Sequence, residues 1–260
     1  MSSSDYYLSQ LLKKQKPTDE LKNMIRHTSS YIINVIHQEI REPEVRFYYA
    51  GAFKKGTALK DIFDLNLVVT YPKTSYKSPK GIYDEVREIL QKQNLNPWTK
   101  GVALRCNFVD KGFGTYQYDI IPGKATTKDY YYIELYRPRK NKNFRTSIRA
   151  HVDAVRSVRH RYTIKFLKLW RRRYGFACPT FILEMLFINY LSTDKPGEMY
   201  SLLKGCFKYI ADNILDMKLV DPVNVANIIS DELSQHQKHQ LQDYAEKAYN
   251  AKHWSQVFEK

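Results

Sequence analysis

The stretch Tyr49–Val69, YAGAFKKGTALKDIFDLNLVV, contains the pattern on which the fold prediction depends. A β-branched and aromatic run ends at Gly51, and a second strand-like run begins at Leu65. Glycine after the first strand allows a phosphate group to approach the backbone closely. Because strand side chains alternate with period two, positions 64 and 66 share one face of the second strand. The stretch therefore predicts two polar residues, Asp64 and Asn66, beside a glycine turn.

A third polar residue, Asp119, lies in the apolar segment Tyr118–Pro122. The segment forms the second half of a predicted β-hairpin whose turn covers 110–114. A carboxylate in an apolar strand is costly unless it is paired or holds a metal ion. Oxygen ligands on adjacent strands are typical of sites for Mg²⁺ or Mn²⁺, which neutralise phosphates and lower the pKa of an attacking hydroxyl. This pattern indicates phosphoryl-group chemistry.

Four motifs, in the order in which they occur along the chain, resemble motifs of the DNA polymerase β-like nucleotidyltransferases. The first is Gly51-Ala52, eleven residues, then Asp64-Leu65-Asn66, with Asp119 as the distant acid. The closest similarity is to the branch of oligoadenylate synthases, cyclic GMP-AMP synthase and the bacterial cyclic-oligonucleotide synthases (CD-NTases), because GAFKKGTAL resembles that branch's glycine loop. The other three motifs are IKFLKLW at 164–170, PTFILE at 179–184 and VDPVNVAN at 220–227.

The resemblance implies an α+β fold, which the change from strands to long helical patterns near Thr146 also predicts. These helical patterns cover 147–174, 180–192, 198–216 and 225–250, and an earlier helix is predicted from Ser78-Pro79 to about Gln93. We expect a mixed-sheet nucleotidyltransferase lobe over 1–143 and an all-helical lobe over 144–260 that completes the NTP site, with the active-site cleft between them. The resemblance implies that Asp64, Asn66 and Asp119 are the catalytic and metal-ligating positions. The expected nucleotide-binding residues are Gly51, Ala52, Lys168, Thr180 and Phe181.

Two positions depart from the family pattern. Asn66 stands where the family has Asp, and an amide supplies one neutral oxygen but no charge, so we expect metal binding to weaken and activity to fall by several orders of magnitude. Ala52 stands where the family has Ser or Gly, which is the milder change. Three interpretations of Asn66 remain open: a natural pseudoenzyme, a single-metal enzyme, or an engineered Asp→Asn substitution. We favour the last.

The charge distribution indicates a polyanionic partner. The formal net charge is +15, and 135–183 contains fourteen Lys and Arg against one acid. An RNA, such as tRNA or a duplex, bound through 137–173 is one interpretation, and a basic face that is only solvated or only holds the triphosphate is the other. Upstream of the helices, 137–145 reads as a basic loop. The residues expected to contact nucleic acid are Arg139, Lys140, Lys142, Arg145, Arg161, Lys165 and Arg172.

The remaining composition is that of an ordinary globular protein. The chain has 260 residues, of which 43% are hydrophobic, and this excludes a disordered chain. Three cysteines without a CxxC pair indicate buried reduced thiols and no disulfide framework. The N-terminal sequence lacks the features of a leader, and no apolar run is long enough for a membrane span, so we expect a cytoplasmic protein with no membrane partner.

On resemblance, the expected function is template-independent transfer of a nucleoside monophosphate from an NTP, ATP in the first place, to a hydroxyl acceptor, with release of pyrophosphate. The implied product is a cyclic or linear oligonucleotide signal in antiviral defence. Two alternatives remain open. One is addition of nucleotides to the 3′ end of an RNA such as tRNA, as in some toxins. The other is a catalytically dead module that binds nucleotide or RNA.

Overall fold

The computed structural model describes residues 3–63, 65–192, 198–225 and 227–259. The chain divides into two compact units. A sheet unit comprises Pro17–Asp153, and a helical unit comprises the described residues of Met1–Lys16 and Ala154–Lys260. This division differs from the sequence-based boundary at 143/144, chiefly because the first helix packs within the helical unit. There the carboxylate of Asp5 accepts a hydrogen bond of 2.9 Å from the backbone N–H of Tyr200.

Within the described residues, seven strands form one mixed sheet in the sheet unit. Strands β1, β2, β5, β4 and β3 are neighbours in that order, and β6 pairs with β5 and β7. Strands β2 and β5 are parallel, and the other pairs are antiparallel. The strands are β1 (Arg46–Ala50), β2 (Leu65–Tyr71), β3 (Trp98–Lys100), β4 (Ala103–Asp110), β5 (Gly114–Ala125), β6 (Ile133–Arg137) and β7 (Lys142–Thr146).

Two long helices cover one face of this sheet. Helix α2 (Asp19–Glu39) begins at the N-cap Thr18, and helix α4 (Pro79–Lys92) begins at the N-cap Ser78 with proline in its first turn. Their apolar residues pack with Leu67, Ile120 and other buried strand residues into the main core. The predicted strand from Leu65 and the predicted helix after Ser78 are confirmed, because local alternation and capping signals determine them. The second hairpin strand, predicted to end at Ile121, continues to Ala125.

The opposite face of the sheet presents the predicted site. A smaller apolar cluster there includes Val68 on β2 and Ile121 on β5. Asn66 and Asp119 lie two residues earlier on the same strands, so strand alternation places their side chains on this face. The short helix α3 (Gly51–Lys55) follows β1 directly.

The segment expected to be a basic loop is instead ordered. Residues 137–145 end β6, form a 3-10 turn at Pro138–Lys140 and continue into β7. The loop prediction is wrong because β6 and β7 pair in register, with Leu135 opposite Phe144, and this pairing overrides the polar composition. We refer to Ile133–Thr146 as the β6–β7 hairpin.

The helical unit differs in detail from the helix predictions. One helix expected over 147–174 is two, interrupted at 158–160, and the helix expected over 225–250 begins only at Gln235. The helices are α1 (Ser3–Lys14), α5 (Ile148–Ser157), which spans the division, α6 (Arg161–Tyr174), α7 (Thr180–Leu191), α8 (Met199–Asn213), α9 (Gln235–Asn250) and α10 (Ser255–Phe258).

A search of the described residues for a helix long and apolar enough to cross a membrane finds no candidate.

Candidate active site

The register of three strands brings the polar residues of the sheet face together. Asn66 on β2 pairs with Asp119 on β5, and Asp119 pairs with Arg105 on β4. Neighbouring strands lie about 4.8 Å apart, and partners in register point to the same face. The backbone pairing therefore brings Asn66 and Asp119 side by side on one face of the sheet. Asp64, the other predicted ligand, lies outside the described residues.

Asp119 takes part in a close ion pair with Arg105. Nε of Arg105 lies 2.5 Å from Oδ1 of Asp119, and its Nη2 lies 2.7 Å from Oδ2, which is the two-pronged geometry of a strong guanidinium–carboxylate pair. Nζ of Lys100 lies 3.4 Å from the same Oδ2. The exposed fraction is 13% for the Asp119 side chain and 18% for that of Arg105, so the pair is only weakly screened by water.

Asn66 contributes an oxygen that the fold leaves unsatisfied. Its Oδ1 atom is buried and has no hydrogen-bond partner among the described residues. A buried carbonyl oxygen without a partner carries a desolvation cost of about 1–3 kcal/mol. A ligand that supplies a positive charge or a donor at this position would remove that cost.

The residues present fit a divalent cation in their oxygen chemistry. The side-chain oxygen of Asn66 and the carboxylate of Asp119 are hard ligands on adjacent strands, which suit Mg²⁺ or Mn²⁺. Among the described residues, however, no group of three His, Cys, Asp or Glu side chains is placed to hold a metal ion. Arg105 occupies the Asp119 oxygens that such an ion would use. The site therefore fits the ion only when this guanidinium moves away.

The glycine turn lies at the end of β1, next to this site. Ala50, the last residue of β1, pairs with Asn66, and Gly51 follows with φ of +78°. This left-handed conformation is costly for any residue with a Cβ, which explains glycine here. Ala52 is fully buried within the turn. Phosphate binding by Gly51 and Ala52 stays a prediction.

In the helical unit, the predicted nucleotide-binding residue Lys168 is buried. Its side chain is 1% exposed, and its Nζ lies 3.8 Å from Oε1 of Glu184, which is also 1% exposed. Lys168 shares the polar face of α6 with Arg161 and Arg172, but it is buried whereas Arg172 is exposed. Contact of Lys168 with a triphosphate stays a prediction, and any such contact requires the buried pair to open.

Thr180 and Phe181 open helix α7. The hydroxyl oxygen of Thr180 accepts a hydrogen bond of 2.9 Å from Arg171. Phe181 is half-buried. Their roles as phosphate-binding and base-stacking residues stay predictions.

The predicted nucleic-acid residues fall in two places. Arg139, Lys140, Lys142 and Arg145 lie on the exposed β6–β7 hairpin, and none of them makes an ion pair with a residue that the structure describes. Arg145 lies 4.4 Å above the ring of Tyr132. On α6, burial and the nearby charge of Arg161 lower the pKa of Lys165. The hairpin therefore presents the more accessible cations.

The three cysteines are free and buried, so the predicted burial of these thiols is confirmed. Burial, with an added effect of the Asp119 charge, raises the pKa of the Cys106 thiol to about 12. The Cys106 side chain belongs to the main core on the opposite face of the sheet, where it stays protonated and supplies no thiolate ligand to the site.

The sequence analysis missed Arg105 and Lys100. A signal for Arg105 was present, because a hairpin centred on Gly112 places position 105 opposite position 119. The alternation of β4 also pointed to this face, since Arg105 lies between buried Leu104 and Cys106. Lys100 had no such signal, because the three-residue strand β3 was not predicted.

Comparison with solved structures identifies the fold. CdnC from E. coli MS115-1 with ATP superposes with a TM-score of 0.75 at 17% identity, covering 99% of this chain and 98% of that chain. CdnG from Bradyrhizobium diazoefficiens in complex with GTP gives a TM-score of 0.74 at 12% identity, covering 96% and 90%. The MgGTP-bound Cid1 poly(U) polymerase gives 0.69 at 14% identity, covering 98% of both chains.

The chain has the DNA polymerase β-like nucleotidyltransferase fold. No protein-family model matches the chain, and no curated protein matches its sequence. The structures that share the nucleotidyltransferase fold include cyclic-nucleotide synthases as well as RNA terminal transferases. At these identities the comparison establishes the fold and leaves the acceptor open.

Proposed function

We propose that this chain is built for template-independent transfer of a nucleoside monophosphate from an NTP, ATP in the first place, to a hydroxyl acceptor. The observation that carries the proposal is the register of Asn66 and Asp119 on adjacent parallel strands, next to the Gly51 turn. In the transfer, the acceptor oxygen bonds to the α-phosphorus and the bond to pyrophosphate breaks. The carboxylate of Asp119 orients the hydroxyl and accepts its proton.

A divalent cation would be held by Asp119 and by Oδ1 of Asn66, with Asp64 as the further predicted ligand. When bound, it would neutralise the phosphates and lower the pKa of the acceptor hydroxyl. Asn66 itself provides a dipole in place of a charge, so the cation is held less strongly than by a second carboxylate. We therefore expect the rate of nucleotidyl transfer by this chain to be low.

Restoring the acid is the direct test. We expect Asn66→Asp to raise transfer from ATP labelled at the α-phosphate by about a hundredfold or more with Mg²⁺ present. Asn66→Asp combined with Asp119→Asn is the matched control. Like the parent chain, it has one carboxylate at these two positions, but the carboxylate lies on β2 and not on β5. If both variants are as inactive as the parent chain, while ATP binding persists, the chain is a dead nucleotide-binding module.

The products distinguish the acceptor. We propose a cyclic or linear oligonucleotide signal in antiviral defence as the first possibility, supported by the similarity to CdnC and CdnG. Small labelled products from ATP alone support it. Labelled material that stays with added tRNA supports the second possibility, modification of an RNA 3′ end.

The β6–β7 hairpin favours this second possibility. Arg137 lies 4.0 Å above the ring of Phe144 on the same face of the sheet as Asp119. The hairpin therefore offers stacked guanidinium groups and unpaired cations to a phosphate backbone. If RNA binds there, the triple substitution Arg139→Gln, Lys140→Gln and Lys142→Gln lowers the slope of log affinity against log salt by about 0.7 for each lost phosphate contact.

The control for this triple substitution removes the same charge elsewhere. Lys13→Gln, Lys14→Gln and Lys16→Gln change exposed lysines of the N-terminal region, on a different compact unit. Equal losses in the two triple variants would show a general effect of net charge and would reject the hairpin as the RNA site.

A further inference from the structure

The ion pair with Arg105 occupies both carboxylate oxygens of Asp119, which is the one acidic residue of the predicted site among the described residues. Arg105 donates to Oδ1 and Oδ2 with Nε and Nη2, and Lys100 lies 3.4 Å from Oδ2. Two positive charges thus accompany one negative charge on this part of the sheet face. Asn66 adds no negative charge next to them.

A guanidinium and a divalent cation exclude each other at these oxygens. Both compete for the same two oxygens of Asp119, and two positive charges at such short distance repel strongly in a largely buried setting. The arginine also has an alternative partner on this face. Its Nη1 lies 2.6 Å from Oε1 of Gln117, which precedes Asp119 by two residues on β5. Arg105 can therefore release the carboxylate and keep a hydrogen bond.

We propose that Arg105 is a built-in counter-ion of Asp119 that must leave the carboxylate before a divalent cation binds there. The inference rests on the proposed function in one respect, the assignment of Asp119 as a cation ligand. Arg105 then lowers the affinity of the site for the ion and keeps the carboxylate paired in its absence. Binding of the ion and pairing with Arg105 are two exclusive states of the same side chain.

The test measures Mn²⁺ binding directly, from the EPR signal of the free ion, with no nucleotide present. We expect Arg105→Gln to bind Mn²⁺ about tenfold more tightly than the parent chain, equivalent to about 1.4 kcal/mol. Arg41→Gln removes the same charge from an exposed position of the sheet unit and should change the affinity less than about twofold. The gain in Mn²⁺ affinity should vanish in the double variant Arg105→Gln, Asp119→Asn, because the carboxylate that would bind the ion is removed.

Two results would overturn the inference. One is an unchanged Mn²⁺ affinity in Arg105→Gln when circular dichroism shows a folded protein. The other is a gain that persists without the Asp119 carboxylate. If Arg105→Gln does not fold, Arg105→Met serves instead, since it removes the charge and the donors but keeps an unbranched side chain, and tighter Mn²⁺ binding is again expected. Failure of nucleotidyl transfer by Asn66→Asp, with the Mn²⁺ gain intact, would reject the proposed function and keep this inference.

Discussion

Replacing Lys168 by methionine removes one charge of a buried ion pair in the helical unit. The two charged atoms, Nζ of Lys168 and Oε1 of Glu184, lie 3.8 Å apart on side chains that are 1% exposed. At this distance opposite charges attract by about 4 kcal/mol for an effective dielectric constant of about 20. A single substitution leaves the other charge buried without this counter-charge. We expect Lys168→Met or Glu184→Leu to lower the free energy of unfolding by about 3–5 kcal/mol.

The double variant tests whether the loss comes from the broken pair. Lys168→Met combined with Glu184→Leu fills the same space with apolar groups. Because no charge is then buried at either position, the desolvation cost of both charges is absent. We expect its free energy of unfolding to lie within about 1 kcal/mol of the parent chain. The coupling energy between the two positions should therefore be about 3 kcal/mol or more.

The assay is urea unfolding followed by tryptophan fluorescence in a Trp98→Phe background. Trp98 is on β3 of the sheet unit, whereas Trp170 and Trp254 belong to the helical unit, so the remaining signal reports on that unit. Strictly additive losses in the double variant, or single losses below about 1 kcal/mol, would refute the reasoning.

The same double variant tests the predicted triphosphate contact of Lys168. If the variant is stable but binds ATP about tenfold more weakly, the lysine opens its pair and contacts nucleotide. Unchanged ATP affinity would assign Lys168 to the helical core alone.

Three further predictions follow from local geometry. Gly51→Ala should cost about 1–2 kcal/mol and weaken ATP binding, whereas Gly175→Ala, at a similar positive φ, should cost the same and leave ATP binding unchanged, as urea unfolding and ATP titration would show. Gly205→Ala should lower the unfolding free energy by about 1–3 kcal/mol, because its Cβ would meet the Tyr190 hydroxyl at 2.1 Å, and Tyr190→Phe should restore part of it. Burial raises the pKa of the Cys106 and Cys178 thiols to about 12, so their reaction with a disulfide reagent at about pH 8 should be about 100-fold slower in the native than in the unfolded chain.

The local elements of the sheet unit could be predicted because their signals lie within a few residues of each other. Ser78 and the proline after it begin α4 as expected, and the apolar run from Leu65 forms β2. The order of four motifs also predicted the fold, which the solved structures confirm.

The helical predictions failed where packing outweighs periodicity. In α6 the polar face that the sequence predicts includes Lys168, but this part of the helix is buried in the helical unit, where Lys168 lies beside Glu184. Its partner Glu184 lies on α7, and no local pattern connects the two.

By itself, the sequence determined the glycine turn, the strands that carry Asn66 and Asp119, and the absence of a charge at position 66. These depend on alternation and on residue identity, both of which are local. Only the tertiary structure decided that α1 packs with the C-terminal helices, that 137–145 forms a hairpin and that Arg105 neutralises Asp119. These outcomes depend on which distant segments pair, because burial and charge compensation are properties of the assembled neighbours and of no single segment.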